Sequence, residues 1–158
     1  MGQQKESTQV TYSVKLVDEA AHPRNMRRMS DPDARGIIHG CCGDTMEIYL
    51  RLEGDWIKEA TFMTDGHESA IACGSTLTAM VRERSVEAAG KISPEELIES
   101  LGGLPECKTH CARLTVNTLR EALADWRARD TMLHTGGVST LGTISADSVD
   151  PTLPKEIR

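Results

Sequence analysis

From Asp44 to Gly54 the chain alternates apolar and polar positions without a break. Met46, Ile48, Leu50 and Leu52 fall on one side; Glu47, Tyr49, Arg51 and Glu53 fall on the other. A period of two over that length predicts a strand buried on one face. Gly54-Asp55 is a turn signal, and Trp56–Thr64 is expected to return as a second strand. Its alternation is weaker and leaves the register open. After Gly66 the period changes. Ala70, Cys73, Leu77 and Met80 are spaced i, i+3, i+7 and i+10, with Val81 beside them. That is one face of an amphipathic helix ending near Arg84.

The remaining pattern fills in around this centre. Tyr12–Ala21 reads as a short helix with Val14, Leu16 and Val17 apolar, ended by Pro23. His22–His39 is a polar connection, with a short strand expected near Gly36–His39. A turn of helix is expected at Val86–Ala89, closed by Gly90. Ser93, Pro94 and Glu96 form a helix start with a capping box, and Gly102-Gly103 supply a left-handed stop. The last helix is expected from about Cys111 to Arg127, with Leu119, Ala122, Leu123 and Trp126 inward. Strands first and helices after give an α+β fold, a small antiparallel sheet of about three strands packed by helices. The expected division is a disordered lead over residues 1–11, one domain over 12–129 and a mobile tail over 130–158.

Composition narrows the function. A chain of 158 residues suits one domain, and its few aromatics leave aliphatic side chains and methionine to fill the core. The net charge is −6 and no basic stripe is interleaved with aromatics, which excludes nucleic acid as a partner. The cluster Arg24, Arg27, Arg28 reads as solvated surface. No apolar run is long enough for a membrane, and the first ten residues lack the apolar core of a secretory signal. A cytoplasmic protein is expected. Five cysteines, an odd number, argue for metal or thiol chemistry over a disulfide framework.

Three short segments concentrate possible ligands: "GCCGD" with Cys41, Cys42 and Asp44; "DGHES" with His67; and "ECKTHC" with Cys107, Lys108, His110 and Cys111. Each lies where a regular element begins or ends. At a helix start, free N–H groups and the helix dipole favour a thiolate, so the Cys111 pKa is expected to fall. His67 and Cys73 are six residues apart, about 120° around a helix, and are not a chelating pair. Cys73 belongs to the apolar stripe. Spacing alone leaves His67 open between ligand and surface histidine.

These segments, in this order, resemble the IscU family of iron–sulfur cluster assembly scaffolds, which includes the N-terminal domain of NifU. The resemblance covers Tyr12 to Arg127 and is carried by "YSVKLVDEAAHPRN", "CGDTMEIYLRLEG", "ATFMTDG", "SAIA", "LGGLP" and "HCARLTVNTLREALADW". It implies a non-catalytic protein on which a cluster, usually 2Fe–2S, is built with sulfur from a cysteine desulfurase and handed to apo-proteins. The same place binds zinc in that family. Carried over by position, Cys42 and Asp44 are the C-G-D pair, and His110 and Cys111 are the H-C pair. The third cysteine position falls on His67.

That histidine is a departure. Zinc accepts thiolate, imidazole and carboxylate, so Cys42, Asp44, His67 and Cys111, with His110 beside them, form an acceptable set. Clusters also tolerate imidazole, and the expected consequence is a weaker or more labile cluster. Cys107 or Cys41 is an alternative source of a third thiolate. Cys42 is preferred to its neighbour Cys41, because adjacent side chains tend to point apart. Lys108 is expected to favour nearby thiolates. The family's chaperone segment lacks its second proline here, at Glu106, which counts against a dedicated Hsp70-type chaperone. The competing function is a zinc-binding or sulfur-relay partner of the desulfurase that builds no stable cluster. A cysteine hydrolase using Cys111 and His110 is disfavoured, since adjacent residues at a helix start do not easily aim at one another.

Overall fold

The computed structural model describes residues 11–139. The expected lead, save Thr11, and the tail from residue 140 onward lie outside the described residues. Contacts divide the chain after Trp126 into two units, each described here by itself.

The first unit is built on an antiparallel meander of β1 (Ala34–His39), β2 (Thr45–Glu53) and β3 (Trp56–Thr64), in that order. Met46, Ile48 and Leu50 are buried, as the alternation of β2 requires. The weak alternation of β3 has a local cause. Leu50 pairs with Ala60, but Leu52 pairs with Ile57, so β3 carries one extra residue at a bulge beside Arg51/Leu52. Ile57, Ala60 and Phe62 still reach the core. The other sheet face is not simply solvated. Tyr49 is buried there, its hydroxyl donating to Glu47, which also pairs with Arg28.

α1 (Val14–Ala21) starts two residues later than expected, because Ser13 caps it by accepting from the Leu16 N–H. Ser13 also donates to the Leu101 carbonyl. Leu16 is buried, whereas Val14 and Val17 are exposed, so the expected apolar stripe is only partly used. Glu19 is buried in their place. Its carboxylate accepts from Ser75 Oγ at 2.5 Å and from Arg24 Nη2 at 2.5 Å. Arg24 is thus tied to two helices, while Arg27 pairs with Glu59. The basic cluster is exposed but fastened.

α2 (Glu68–Val81) is buried almost all round, including Cys73, Leu77 and four hydroxyl residues, Ser69, Ser75, Thr76 and Thr78. It is a central helix and not an amphipathic one, and Arg82–Arg84 lie past its end. Gly74 permits this: a Cβ there would fall 2.3 Å from the Phe62 ring. α3 (Val86–Gly90) and α4 (Pro94–Ser100) follow, the latter with the expected Ser93/Glu96 capping box and with Gly102 and Gly103 at φ +75° and +105°.

α5 (Thr109–Ser139) is longer than expected at both ends. Leu119, Ala122 and Leu123 are buried in the first unit as expected. Beyond Trp126, Met132 and Leu133 are exposed. Local pairs mark it there, such as Thr131 Oγ1 donating to the Arg127 carbonyl and His134 with Asp130.

α5 packs its backbone directly on β1. A Cβ at Gly36 would lie 2.4 Å from the Thr118 carbonyl oxygen and 2.6 Å from the Ala122 nitrogen. Gly36→Ala is therefore expected to lower unfolding stability by about 1–3 kcal/mol, measured as a lower urea midpoint at unchanged slope. An unchanged midpoint would contradict the backbone contact.

Candidate metal centre

The "GCCGD" segment forms the turn between β1 and β2. Gly43 N–H donates to the Gly40 carbonyl at 3.1 Å and Gly40 N–H to the Asp44 carbonyl at 2.7 Å. Gly43 has φ +88°, which closes a tight turn with Cys41 and Cys42 at its tip. Both cysteines are exposed. The pairing of Met46 with Thr64 sets this turn beside the junction of β3 and α2. There Asp65 Oδ1 accepts from the Thr45 N–H at 2.6 Å, and Thr64 Oγ1 donates to the Thr45 carbonyl at 2.7 Å. Asp44 leans on Gly66: a Cβ at that glycine would sit 3.1 Å from Asp44 Oδ2. His67 follows as the N-cap of α2, exposed and making no side-chain cap hydrogen bond.

The third segment enters over a one-turn 3-10 helix, Glu106–Lys108, which runs into α5. Leu114 of α5 packs on Gly40, 3.2 Å from where its Cβ would be. One turn earlier come His110 and Cys111. A cleft of about 300 Å³ is lined by Gly40, Cys41, Cys42, His110, Arg113 and Leu114, among others. A second cavity, of about 380 Å³, lies on the outer sheet face between Arg28, His39, Glu47 and Asp65. It contains none of the expected ligands.

Cys111 is the buried member of the group. Its Sγ lies 3.6 Å from His110 Nε2. Adjacent residues at this helix start do touch, contrary to the expectation from the sequence. The expected fall in the Cys111 pKa is also overturned. Burial pushes the thiol up to about 11, helped by negative charge on Cys42 and Asp44, opposed by Lys108, and raised again by Cys107. Desolvation is the largest cause. A protonated thiol of this kind is the opposite of an activated nucleophile. Lys108 acts in the expected direction.

Cys73 lies in the core, its thiol raised mainly by burial and further by Cys111, with a hydrogen bond to Thr115 opposing. Arg35 does not join the group. Its N–H donates to Asp125 Oδ2 at 3.0 Å, at the far end of β1 from the cysteine turn. Cys42, Asp44, Cys107, Lys108 and His110 are thus gathered around Cys111, and His67 is joined to them only through the Gly66–Asp44 contact. Among the described residues, no three His, Cys, Asp or Glu side chains already close on a metal ion. The donor set, thiols with imidazole and carboxylate, fits zinc or iron. Asp65 and Leu114, which fasten the loops, were not singled out from the sequence. The Thr-Asp-Gly run between strand and helix was the available signal for Asp65.

Residues 11–132 match the model of the NifU-like N terminal domain. An iron–sulfur cluster assembly scaffold protein, IscU 1 of Archaeoglobus fulgidus, is 38% identical over 116 residues, covering 73% of this chain and 76% of that one. The IscU scaffold protein of Haemophilus influenzae is 34% identical over 125 residues, covering 76% and 98%. The crystal structure of a NifU-like N-terminal protein from Brucella abortus shares the fold, with a TM-score of 0.57 at 16% identity, covering 73% of this chain and 94% of that one. No helix among the described residues is long and apolar enough to cross a membrane.

In metal-free protein at pH 7, iodoacetamide is expected to label Cys41, Cys42 and Cys107 well before Cys73 and Cys111. Raising the pH from 7 to 9 should speed Cys111 labelling by about a hundredfold, because its thiolate fraction grows tenfold per pH unit below its pKa. Mass spectrometry of timed digests measures this. Early labelling of Cys111 would contradict the buried, protonated thiol.

Proposed function

This chain belongs to the NifU-like N-terminal domain family, and we propose that it is a scaffold on which an iron–sulfur cluster, of 2Fe–2S type, is assembled transiently and passed to apo-proteins. The observation that supports this most is the gathering of Cys42, Asp44, Cys107, Lys108 and His110 around the Cys111 thiol. Cluster building needs several thiols in one place, one sheltered and others open to reagents arriving from outside. The exposed turn at Cys41–Cys42 meets the second need, and buried Cys111 meets the first.

Cys42 and Cys111 are the core ligands in this reading, with Asp44 and His67 completing the set and His110 beside them. Sulfur arrives as the persulfide of a cysteine desulfurase. A Cys42 thiolate attacks the outer sulfur, taking over the persulfide and releasing the donor's thiolate. Lys108 holds positive charge next to the sulfurs and offsets part of their mutual repulsion. The protein supplies binding and orientation and carries out no turnover of its own. The cytoplasm, which keeps thiols reduced, is its proposed compartment, without nucleic acid or a dedicated Hsp70-type chaperone as partner.

One observation favours a second reading. His67 stands exposed at the N-cap of α2, where the resembling family keeps a thiolate. An imidazole donates less charge than a thiolate, which suits a protein that only holds zinc or relays sulfur. Anaerobic incubation with ferrous iron, cysteine, a cysteine desulfurase and dithiothreitol, the thiol reductant that takes persulfide sulfur to sulfide, separates the two. The expected outcome is a visible charge-transfer spectrum and the Mössbauer doublets of a 2Fe–2S cluster, lost on Cys42→Ser or Cys111→Ser. Zinc binding with no cluster signal would sink the scaffold reading.

A further inference from the structure

We propose that Cys41 is the thiol that reduces a persulfide on Cys42, releasing the outer sulfur as sulfide and closing a disulfide between the two neighbouring cysteines. This rests on the reading of Cys42 as sulfur acceptor above, and it supplies a step that this reading leaves to an outside reductant.

The turn carries the argument. Cys41 and Cys42 are joined by one peptide bond, so their Cα atoms are about 3.8 Å apart. On a strand, two neighbours would point to opposite faces. Here the chain is not extended. The pair occupies the tip of the turn between β1 and β2, both residues are exposed, and both line the cleft of about 300 Å³ beside α5. The base of the turn is fastened by the hydrogen bond from Gly40 N–H to the Asp44 carbonyl at 2.7 Å. Gly43, at φ +88°, has open space where a Cβ would be. The base holds while the tip has room to bring one sulfur to the other. The remaining thiols are placed differently. Cys73 lies in the core, Cys111 is buried, and Cys107 is not among the residues lining this cleft.

The step balances within the pair. The Cys41 thiolate attacks Sγ of Cys42, the bond from that Sγ to the outer sulfur breaks, and the outer sulfur leaves with the electron pair as hydrosulfide. The electrons it gains are those the cysteines give up in forming their disulfide. The leaving anion emerges in a cleft that also holds the exposed Arg113, whose positive charge meets it there. Neighbouring Cα atoms lie closer than the roughly 4.4–6.8 Å of ordinary disulfides. The product ring is therefore strained and easily reduced. An outside dithiol reopens it by exchange and returns the pair for another sulfur. Without that dithiol the chain releases one sulfide and stops.

The metal-free full chain, incubated anaerobically with equimolar cysteine and a catalytic amount of a cysteine desulfurase, tests this in the absence of dithiothreitol. After quenching with N-ethylmaleimide, mass spectrometry reads the tryptic peptide Gly36–Arg51, whose only cysteines are Cys41 and Cys42. The wild-type peptide is expected to be unalkylated and short of a pair of hydrogens, with about one sulfide released per chain. Cys41→Ser is expected to keep the persulfide on Cys42 and to release at least ~10-fold less sulfide. Cys107→Ser should behave as wild type. Circular dichroism of each variant reports whether it folds. A second arm loads the chain with inorganic polysulfide and removes the excess, so that no desulfurase is needed. The disulfide in this arm alone would sink sulfur acceptance from the desulfurase and leave the role of Cys41 standing. A persulfide that stays on Cys42 in wild type, or passes to Cys41 with no sulfide released, would overturn the role of Cys41 and leave the acceptor reading standing. Sulfide release unchanged by Cys41→Ser, or no disulfide in either arm, would overturn it as well.

Discussion

The site depends on one close approach, the backbone of α5 lying directly on β1 at Gly36. With a Cβ position 2.4 Å from the Thr118 carbonyl oxygen, only a glycine lets helix and strand meet without a shift. Once that contact is made, the rest of the helix follows the strand. Asp125 reaches the Arg35 N–H near one end, and Leu114 settles on Gly40 near the other. One helical turn further on, His110 and Cys111 arrive beside the Cys41–Cys42 turn. A packing contact far from any ligand thus sets where a ligand-bearing helix begins.

A second constraint acts at right angles to the first. The register of β2 on β3 brings Asp44 to Gly66, and the Asp65 and Thr64 hydrogen bonds to Thr45 lock that junction. Gly66 again matters for what it lacks, since its Cβ would crowd Ala70 and Asp44. Three segments distant in sequence are therefore held by a rigid sheet and two helices, while the ligands themselves stay on turns and helix starts. That division suits a carrier. The scaffold keeps these side chains in one neighbourhood, with Cys42 and Cys107 exposed.

Much of this was legible in the sequence. The alternation of Met46, Ile48 and Leu50 has one physical meaning, and the Ser93/Glu96 capping box and the Gly102-Gly103 stop have local chemistry that tertiary context did not disturb. The three segments rich in cysteine, histidine and aspartate do lie at element ends, as their sequence positions imply, and the structure brings Cys42, Asp44, Cys107 and His110 near Cys111. What escaped detection was tertiary. The bulge in β3 is set by pairing to β2. The burial of α2 on all sides depends on Gly74 receiving Phe62, and a small-residue helix shows no stripe to announce it. Glu19 reads as surface until Ser75 and Arg24 are found around it. The Cys111 pKa was misjudged for the same reason: a helix start is visible in sequence, but burial is not.

That last difference bears on how such a site would release what it holds. A thiol held at about 11 instead of the ordinary 9.0 gives up its proton to a metal about a hundredfold less readily at neutral pH. Any metal that Cys111 took up would compete with that proton. The same burial that shelters the sulfur from solvent keeps it neutral when no metal is bound. Cys42 and Cys107 are exposed. The group thus combines one sheltered thiol with exposed ones. This asymmetry arises from packing around α5, and it links the Gly36 contact to the chemistry at the other end of the strand.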